Sequence, residues 1–212
     1  MEIMERTRWH VASPLPADWE EGRDQAVLLH GITWEQYEEL SRARGEYPRP
    51  LMAYLDGELE LVTTSTRHEF VKKMVARLLE AYAEERGVPL NGFGMATRRR
   101  KAKQAGAEPD EQYSIGRSGR GSPDLAVEIV FTSGGIDKLE IYRRLKVAEV
   151  WFWIDDRFWI YRLFGSHFEP VDASVAVPDI DLGAIAKIIA TTDETRQTEA
   201  VRAYRRSLRR RR

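Results

Sequence analysis

The 212-residue sequence contains no cysteine, no long apolar run and no excess of one charge. The absence of cysteine excludes disulfides and thiolate chemistry and fits a cytoplasmic protein. No apolar run approaches the length that spans a bilayer, and the N-terminus lacks the basic-then-apolar pattern of a signal peptide, so we expect no membrane partner. With 33 basic and 34 acidic residues the net charge is −1, and overall charge gives no reason to expect a nucleic-acid partner.

Basic residues are instead concentrated in two runs, at residues 98–103 and 205–212. The second run ends a predicted polar helix. Basic residues at the end of a helix complement its dipole, which is sufficient to account for them. The alternative is that residues 205–212 form a tail that contacts phosphate groups.

The length predicts a single domain over residues 1–212, with one ample core. Residues 1–28, with two prolines and mixed charges, are expected to form an irregular lead-in. Residues 166–212 are expected to form a C-terminal extension of a short strand and helices that ends in the basic tail.

Local signals predict the first elements. Thr33 as N-cap, with Gln36 three residues later, forms a capping box and predicts a helix to about Ala43. The Asp56-Gly57 dipeptide predicts a two-residue hairpin turn between strands within residues 51–62. Apolar residues at helical spacing predict an amphipathic helix over 67–86, ended by Gly87.

The following region predicts strands at 93–98, 107–115 and 124–131, a helix at 135–145 and a strand at 149–155. With the helix at 67–86 this is an α-β-β-β-α-β series. The second strand contains Pro109-Asp110, for which a turn is the alternative interpretation. The aromatic residues of the last strand are expected to fill the core or a dimer contact, with a base-stacking surface disfavoured.

Glu128 lies in the middle of a near-continuous apolar run, where an unpaired carboxylate costs several kcal/mol. For an isolated glutamate, a strand with one face in solvent would be the simpler explanation. Adjacent strands can, however, bring Asp110 beside Glu128, and two converging carboxylates repel unless a cation joins them. A hard cation such as Mg²⁺ is the natural partner. Lys138, at the start of the next helix, could orient water and offset charge on a phosphoryl group.

Short segments of the chain resemble those of a known family in identity, order and spacing. They are residues 56–59 (Asp-Gly-Glu-Leu), 67–69 (Arg-His-Glu), 108–111 (Glu-Pro-Asp-Glu), 122–129 (Ser-Pro-Asp-Leu-Ala-Val-Glu-Ile), 137–142 (Asp-Lys-Leu-Glu-Ile-Tyr) and 147–151 (Val-Ala-Glu-Val-Trp). The chain resembles, over about residues 30–165, the Uma-type restriction endonucleases of the PD-(D/E)XK nuclease superfamily. The resemblance implies an α/β fold with a restriction-endonuclease-like core, in which helices flank a central mixed sheet. It also implies Mg²⁺-dependent DNA endonuclease activity, with Mn²⁺ as an alternative metal.

The same resemblance implies the site residues. Asp110 matches the acid of the first half-motif and Glu128 the acid of the second, so both would bind the metal, joined by the backbone carbonyl of Ile129. Lys138 matches the family's lysine, which lies on the helix after the strand. The usual position of the superfamily's lysine, two residues after the acid, holds Val130 here. Asp110, Glu128 and Lys138 are therefore the predicted catalytic residues.

His68, on the first core helix, and Glu58, in the preceding hairpin, match supporting positions of the family. The predicted partners are DNA and a divalent metal, and cleavage of both strands makes a homodimer plausible. Two other functions stay open. A catalytically silent module could keep the fold to bind nucleic acid or protein, and a carboxylate-pair hydrolase of sugars would not need Lys138.

Overall fold

The computed structural model describes residues 23–116, 121–131 and 135–210. The strands in these ranges are β1 (Gln25–Leu29), β2 (Leu51–Leu55), β3 (Glu58–Thr63), β4 (Leu90–Gly92), β5 (Arg98–Arg100), β6 (Ala105–Ala107), β7 (Glu111–Ile115), β8 (Leu125–Ile129), β9 (Glu149–Ile154), β10 (Arg157–Phe164) and β11 (His167–Val171). The α-helices are α1 (Trp34–Arg44), α2 (Thr66–Arg86), α3 (Lys138–Leu145), α4 (Leu182–Thr191) and α5 (Gln197–Arg210). Two single 3₁₀ turns lie at Lys101–Lys103 and Glu194–Arg196.

The strands form two sheets. The first has the order β1-β3-β2-β6-β5 and is antiparallel. The central sheet has the order β11-β10-β9-β8-β7-β4 and is mixed, because β8 and β9 run parallel while the other pairs are antiparallel. Helix α3 connects the two parallel strands, as the crossover of a βαβ unit must. The predicted α/β class with a mixed central sheet is confirmed.

The local signals in the first half of the chain are confirmed. Thr33 caps α1, and its side chain and that of Gln36 form both hydrogen bonds of the capping box. Asp56 and Gly57 connect β2 to β3, and both have positive φ, as the hairpin turn requires. Helix α2 ends at Gly87 in the left-handed conformation.

The prediction of an irregular lead-in over residues 1–28 is wrong at its end. Residues 1–22 lie outside the described ranges, but β1 begins at Gln25 and pairs with β3 in antiparallel register. The strand is short and exposed at the edge, with Val27 54% exposed, so it lacks the alternation that marks a half-buried strand. Its pairing with a segment 30 or more residues away determines the conformation of β1, and a local sequence pattern does not reveal such pairing.

Two strand predictions need correction. The strand expected at 93–98 is not formed, because residues 93–97 connect the end of β4 to the start of β5, and these two strands belong to different sheets. The strand expected at 107–115 is divided between β6 and β7, with Pro109 in the connection. Proline has no N–H to donate to a ladder, so the chain leaves one sheet there and enters the other. The α-β-β-β-α-β series survives in the central sheet, where its three strands are β4, β7 and β8.

The core lies on both faces of the central sheet. Trp151 and Trp153 on β9 are fully buried against α2 and the strands, which confirms their architectural role. Helix α5 packs on α2 through Val201, Tyr204 and Leu208. No helix within the described residues is both long and apolar enough to cross a membrane.

The basic end of α5 is tied to α2. Arg205 pairs with Glu84, and Arg209 pairs with Glu85 at 2.7 Å. These contacts provide a structural reason for two arginines of the basic tail. Residues 211 and 212 lie outside the described ranges.

Candidate active site

A cavity of about 300 Å³ lies between the two sheets and the start of α3. The first sheet contributes residues of β1, β2, β3 and β6, and the central sheet contributes residues of β8, β9 and β10. Its walls are largely apolar, and its polar side chains are concentrated where β8 meets α2 and α3. All three predicted catalytic residues line this one cavity.

Asp110 and Glu128 reach the cavity from adjacent strands. The register of β7 and β8 pairs Glu111 with Val127, which places Asp110, just before β7, opposite Glu128. Both side chains are nearly inaccessible, with 2% of each residue exposed. Burial raises the pKa of Glu128, and the charge of Asp110 raises it further against the opposing effect of Lys138. The two carboxylates are therefore close enough to repel each other.

Lys138 is the first residue of α3, which begins there because Asp137 caps the helix by accepting the N–H of Glu140. Its Nζ donates to Oε2 of Glu128 over 2.7 Å. Desolvation lowers the pKa of Lys138, but the charges of Glu128 and Asp110 outweigh this and raise it overall. The side chain is therefore an ammonium ion at neutral pH.

Tyr142, one turn after Lys138 on the same face of α3, is also part of the site. Its buried hydroxyl donates to Oε1 of Glu128. A core role is the commoner one for an aromatic residue at this helical spacing. Its spacing of four residues from Lys138 was the signal that both side chains contact one partner.

His68 lies between two carboxylates. Its Nε2 donates to Oδ1 of Asp110 over 2.8 Å, and its Nδ1 donates to Oδ2 of Asp24 over 2.7 Å. Burial lowers the pKa of His68, but the hydrogen bonds and charges of the two aspartates raise it to about 9. At neutral pH the ring is thus an imidazolium that donates from both nitrogens. In turn, burial raises the pKa of Asp110, but His68 and Lys138 more than offset this and lower it.

Asp24 was missed from the sequence. It lies just before β1, is buried, and also accepts the backbone N–H of Ser65 over 2.7 Å. An aspartate in a segment without periodicity carries no local signal. Only the pairing of β1 with β3 brings it to the start of α2.

The hairpin contributes a different acid from the one predicted. Glu58 is half-exposed, outside the cavity, with its Oε1 3.4 Å from Nδ1 of His30. Glu60 is 2% exposed, lines the cavity and accepts the N–H of Gly135 over 3.1 Å. The two glutamates share one face of β3, and Glu60 lies two residues, roughly 7 Å, further along the strand. Sequence spacing alone did not distinguish them.

Ile129 also lies at the site. Its backbone N–H donates to Oδ2 of Asp110 over 2.8 Å, which fixes the second oxygen of that carboxylate. The role of its carbonyl as a metal ligand stays a prediction.

The family of the chain follows from comparison with known proteins. Residues 34–184 match the family model of Uma2, described as "Putative restriction endonuclease". The chain belongs to the Uma2 family. The match covers the whole cavity except its β1 wall, and it confirms the resemblance found in the sequence.

One solved structure similar to this Uma2-family chain is a "putative nuclease belonging to DUF820" from Anabaena variabilis ATCC 29413. The two are 14% identical, with a TM-score of 0.46 over 80% of this chain and 99% of the other. Among curated proteins, none matches the sequence.

The donor set of this Uma2-family site suits a hard cation. Within the described residues, no group of three or more His, Asp or Glu side chains is arranged around a common metal position. Asp110 and Glu128 nevertheless offer ionisable oxygens at one place. Each carboxylate accepts two of the hydrogen bonds described above, whereas an ionised carboxylate has about four acceptor positions. The pair therefore retains capacity for a cation, which would relieve the repulsion that raises the pKa of Glu128.

Proposed function

We propose that this chain is a Mg²⁺-dependent DNA endonuclease that hydrolyses phosphodiester bonds, with Mn²⁺ able to replace Mg²⁺. The observation that carries the proposal is the contact of Lys138 with Glu128 beside Asp110, in a chain of a restriction endonuclease family. Two acids and a lysine on one cavity wall are the groups that metal-assisted phosphodiester hydrolysis needs.

Asp110 and Glu128, with the carbonyl of Ile129, would hold the metal. When bound, the cation supplies Lewis-acid polarisation of a phosphoryl oxygen and lowers the pKa of a bound water. Oxygen ligands favour Mg²⁺ or Mn²⁺ over softer metals.

Lys138 acts by its charge. Because its pKa is raised, the ammonium does not serve as a general base at neutral pH. It orients the attacking water and offsets the negative charge that develops on the phosphoryl group. In the superfamily the lysine usually lies two residues after the acid, where this chain has Val130. In our proposal its role is taken by Lys138 of α3, which contacts Glu128.

His68 and Tyr142 position the two acids. The imidazolium of His68 keeps Asp110 ionised and fixes one of its oxygens, while Tyr142 fixes one oxygen of Glu128. Both are positioning residues, and Asp24 extends this support by one further hydrogen bond.

The proposal is tested by incubating DNA with the protein in Mg²⁺ or Mn²⁺ and, separately, in EDTA. Supercoiled plasmid and circular single-stranded DNA are both included. We expect metal-dependent cleavage that Asp110→Asn abolishes. Glu169→Gln, an exposed acid that faces His167, is the control and keeps activity. No cleavage of either DNA by the folded protein would refute the proposal.

A catalytically silent module is the second candidate. Every oxygen of Asp110 and Glu128 already accepts a hydrogen bond within the chain, so the site is satisfied without a ligand. Calorimetric titration distinguishes the candidates, because a silent module binds no Mn²⁺ and a nuclease binds it through Asp110. The homodimer stays a prediction, which sedimentation velocity measures.

A further inference from the structure

The catalytic carboxylates lie inside the cavity and not on the molecular surface. Asp110 and Glu128 are each 2% exposed, and the space in front of them is the cavity of about 300 Å³. A duplex carries its phosphates on its outer edges and stays rigid over many base pairs. The rigid outer edge of a duplex therefore fits this enclosed cavity poorly, whereas a single nucleotide of a flexible unpaired strand fits it.

The charges around the cavity also disfavour a duplex. The lining acids outnumber the bases, with Lys138 and His68 as cations against Asp24, Glu60, Glu108, Asp110, Glu128 and Asp137. Proteins that hold a duplex neutralise several phosphates with lysine and arginine. No arginine is among the described residues that line this cavity. The cavity thus suits one phosphate beside a cation and not a row of phosphates.

The remaining wall suits an aromatic base. Phe152 and Tyr161 lie edge to face with ring centroids 5.8 Å apart, and Ile154 lines the same wall. Phe131, 40% exposed, lies two residues after the end of β8 and also lines the cavity. Apolar walls with a few polar groups at one end are typical of small-ligand sites, whose volumes begin at about 300 Å³. Aromatic side chains bind unpaired bases by stacking, largely independently of sequence.

From these observations we infer that the substrate of the site is unpaired DNA, and that one base enters the apolar part of the cavity while its phosphate lies at Asp110 and Glu128. The placement of the phosphate at Asp110 and Glu128 rests on the proposed function. The placement of the base in the apolar part is argued from the shape and chemistry of the cavity alone.

Binding tests the inference without relying on cleavage. Fluorescence anisotropy compares a labelled twelve-residue oligothymidine, the same chain with every base removed, and a duplex of equal length. Ca²⁺ replaces Mg²⁺, since both prefer oxygen ligands. We expect the single strand to bind at least about tenfold more tightly than either the abasic chain or the duplex, the scale of stacking one base.

Two cavity variants and one control localise the site. Ile154→Trp fills the apolar part, and Tyr161→Ala removes an aromatic wall at a half-buried position that tolerates the change. Both are expected to lower single-strand affinity by about tenfold. Phe164→Trp, at an exposed position outside the cavity, leaves it unchanged. Thermal unfolding verifies that each variant is folded.

Equal binding of the single strand and the abasic chain, or of the single strand and the duplex, would overturn the inference. The result is distinguishable from failure of the proposed function. Cleavage of duplex and single strand at equal rates refutes the preference and keeps the nuclease. Base-dependent binding of the single strand without any cleavage keeps the base site and refutes the nuclease.

Discussion

His68 donates a hydrogen bond from Nε2 to Oδ1 of Asp110 over 2.8 Å. The bond connects the first core helix to the acid that precedes β7, and Asp24 on the opposite side of the ring completes a buried row of three charges. Because the histidine is held between two carboxylates, its protonation state and that of Asp110 depend on each other. The ionisation of the site is thus set partly by a residue outside the matched family segment.

Asp24→Asn tests this dependence. Removing one of the two charges that raise the pKa of His68 is expected to lower that pKa by about one unit or more from its value of about 9. Titration of the histidine ring signals by NMR measures the shift. Glu58→Gln, an acid outside the cavity, is the control and should leave the His68 titration unchanged. A His68 pKa unaffected by Asp24→Asn would contradict the described row.

The raised pKa of His68 also predicts how stability depends on pH. Its folded value of about 9 exceeds the ordinary value of 6.5, so the folded protein binds the proton more tightly than the unfolded chain. The resulting stabilisation, about 3 kcal/mol, is fully present below pH 6.5 and is lost as pH rises through 9. Urea unfolding at pH 6.5 and 9.5 measures it.

The matched variants for that measurement are His68→Gln and His30→Gln. The first removes the titrating group, so the free energy of unfolding should fall less between pH 6.5 and 9.5, even though this variant is less stable at every pH. The second changes an exposed histidine beside Glu58 and should show the same loss of stability with pH as wild type. Equal slopes for wild type and His68→Gln would show that another group is responsible.

The buried carboxyl group of Glu111 is expected to destabilise the folded protein at neutral pH, so that its replacement should be stabilising. Burial raises the pKa of Glu111 to about 6, against the nearby positive charges of Lys72 and Lys73. The unfolded chain ionises first, so stability falls between pH 4.5 and 6 and the penalty is constant above. Glu111→Gln is therefore expected to stabilise the protein by about 1 to 2 kcal/mol at pH 7.5 and to have little effect at pH 4. A destabilised Glu111→Gln protein at pH 7.5, in thermal or urea unfolding, would refute this.

Tyr142→Phe tests the second positioning residue. Without the hydroxyl, the ionised form of Glu128 loses a hydrogen bond, and its already raised pKa rises further. Mn²⁺ affinity at pH 6.5 should fall by about tenfold, since hydrogen bonds to charged groups contribute roughly 1.5 to 3 kcal/mol. Calorimetry measures the affinity. Tyr82→Phe, which removes a hydroxyl bonded to the carbonyl of Pro178 outside the cavity, should leave it unchanged.

The sequence predicts those positions of the site that depend on a local pattern or on the pairing of adjacent strands. The apolar run around Glu128, the βαβ order and the helix start at Lys138 place Glu128 and Lys138 in contact. The position of Asp110 followed from strand adjacency, although the strand containing it was predicted too long. Proline at 109 was the local signal for the break between β6 and β7, and the turn interpretation was the better one there.

The remaining parts depend on long-range pairing. Asp24 reaches His68 only because β1 pairs with β3, and Glu60 faces the cavity instead of Glu58 because of its distance along β3. Neither relationship has a signature in residue spacing. Tyr142 lies at an apolar position of α3 and is buried, but burial by itself does not show that its hydroxyl has a carboxylate partner.

The role of Lys138 is tested by the rate of metal-dependent DNA cleavage by wild type and Lys138→Met, measured beside Mn²⁺ binding by calorimetry. We expect the substitution to lower the cleavage rate by about 100-fold or more, the scale of losing one charge-stabilising group, while Mn²⁺ still binds. Equal cleavage by Lys138→Met, or no metal-dependent cleavage by folded wild type, would contradict this expectation.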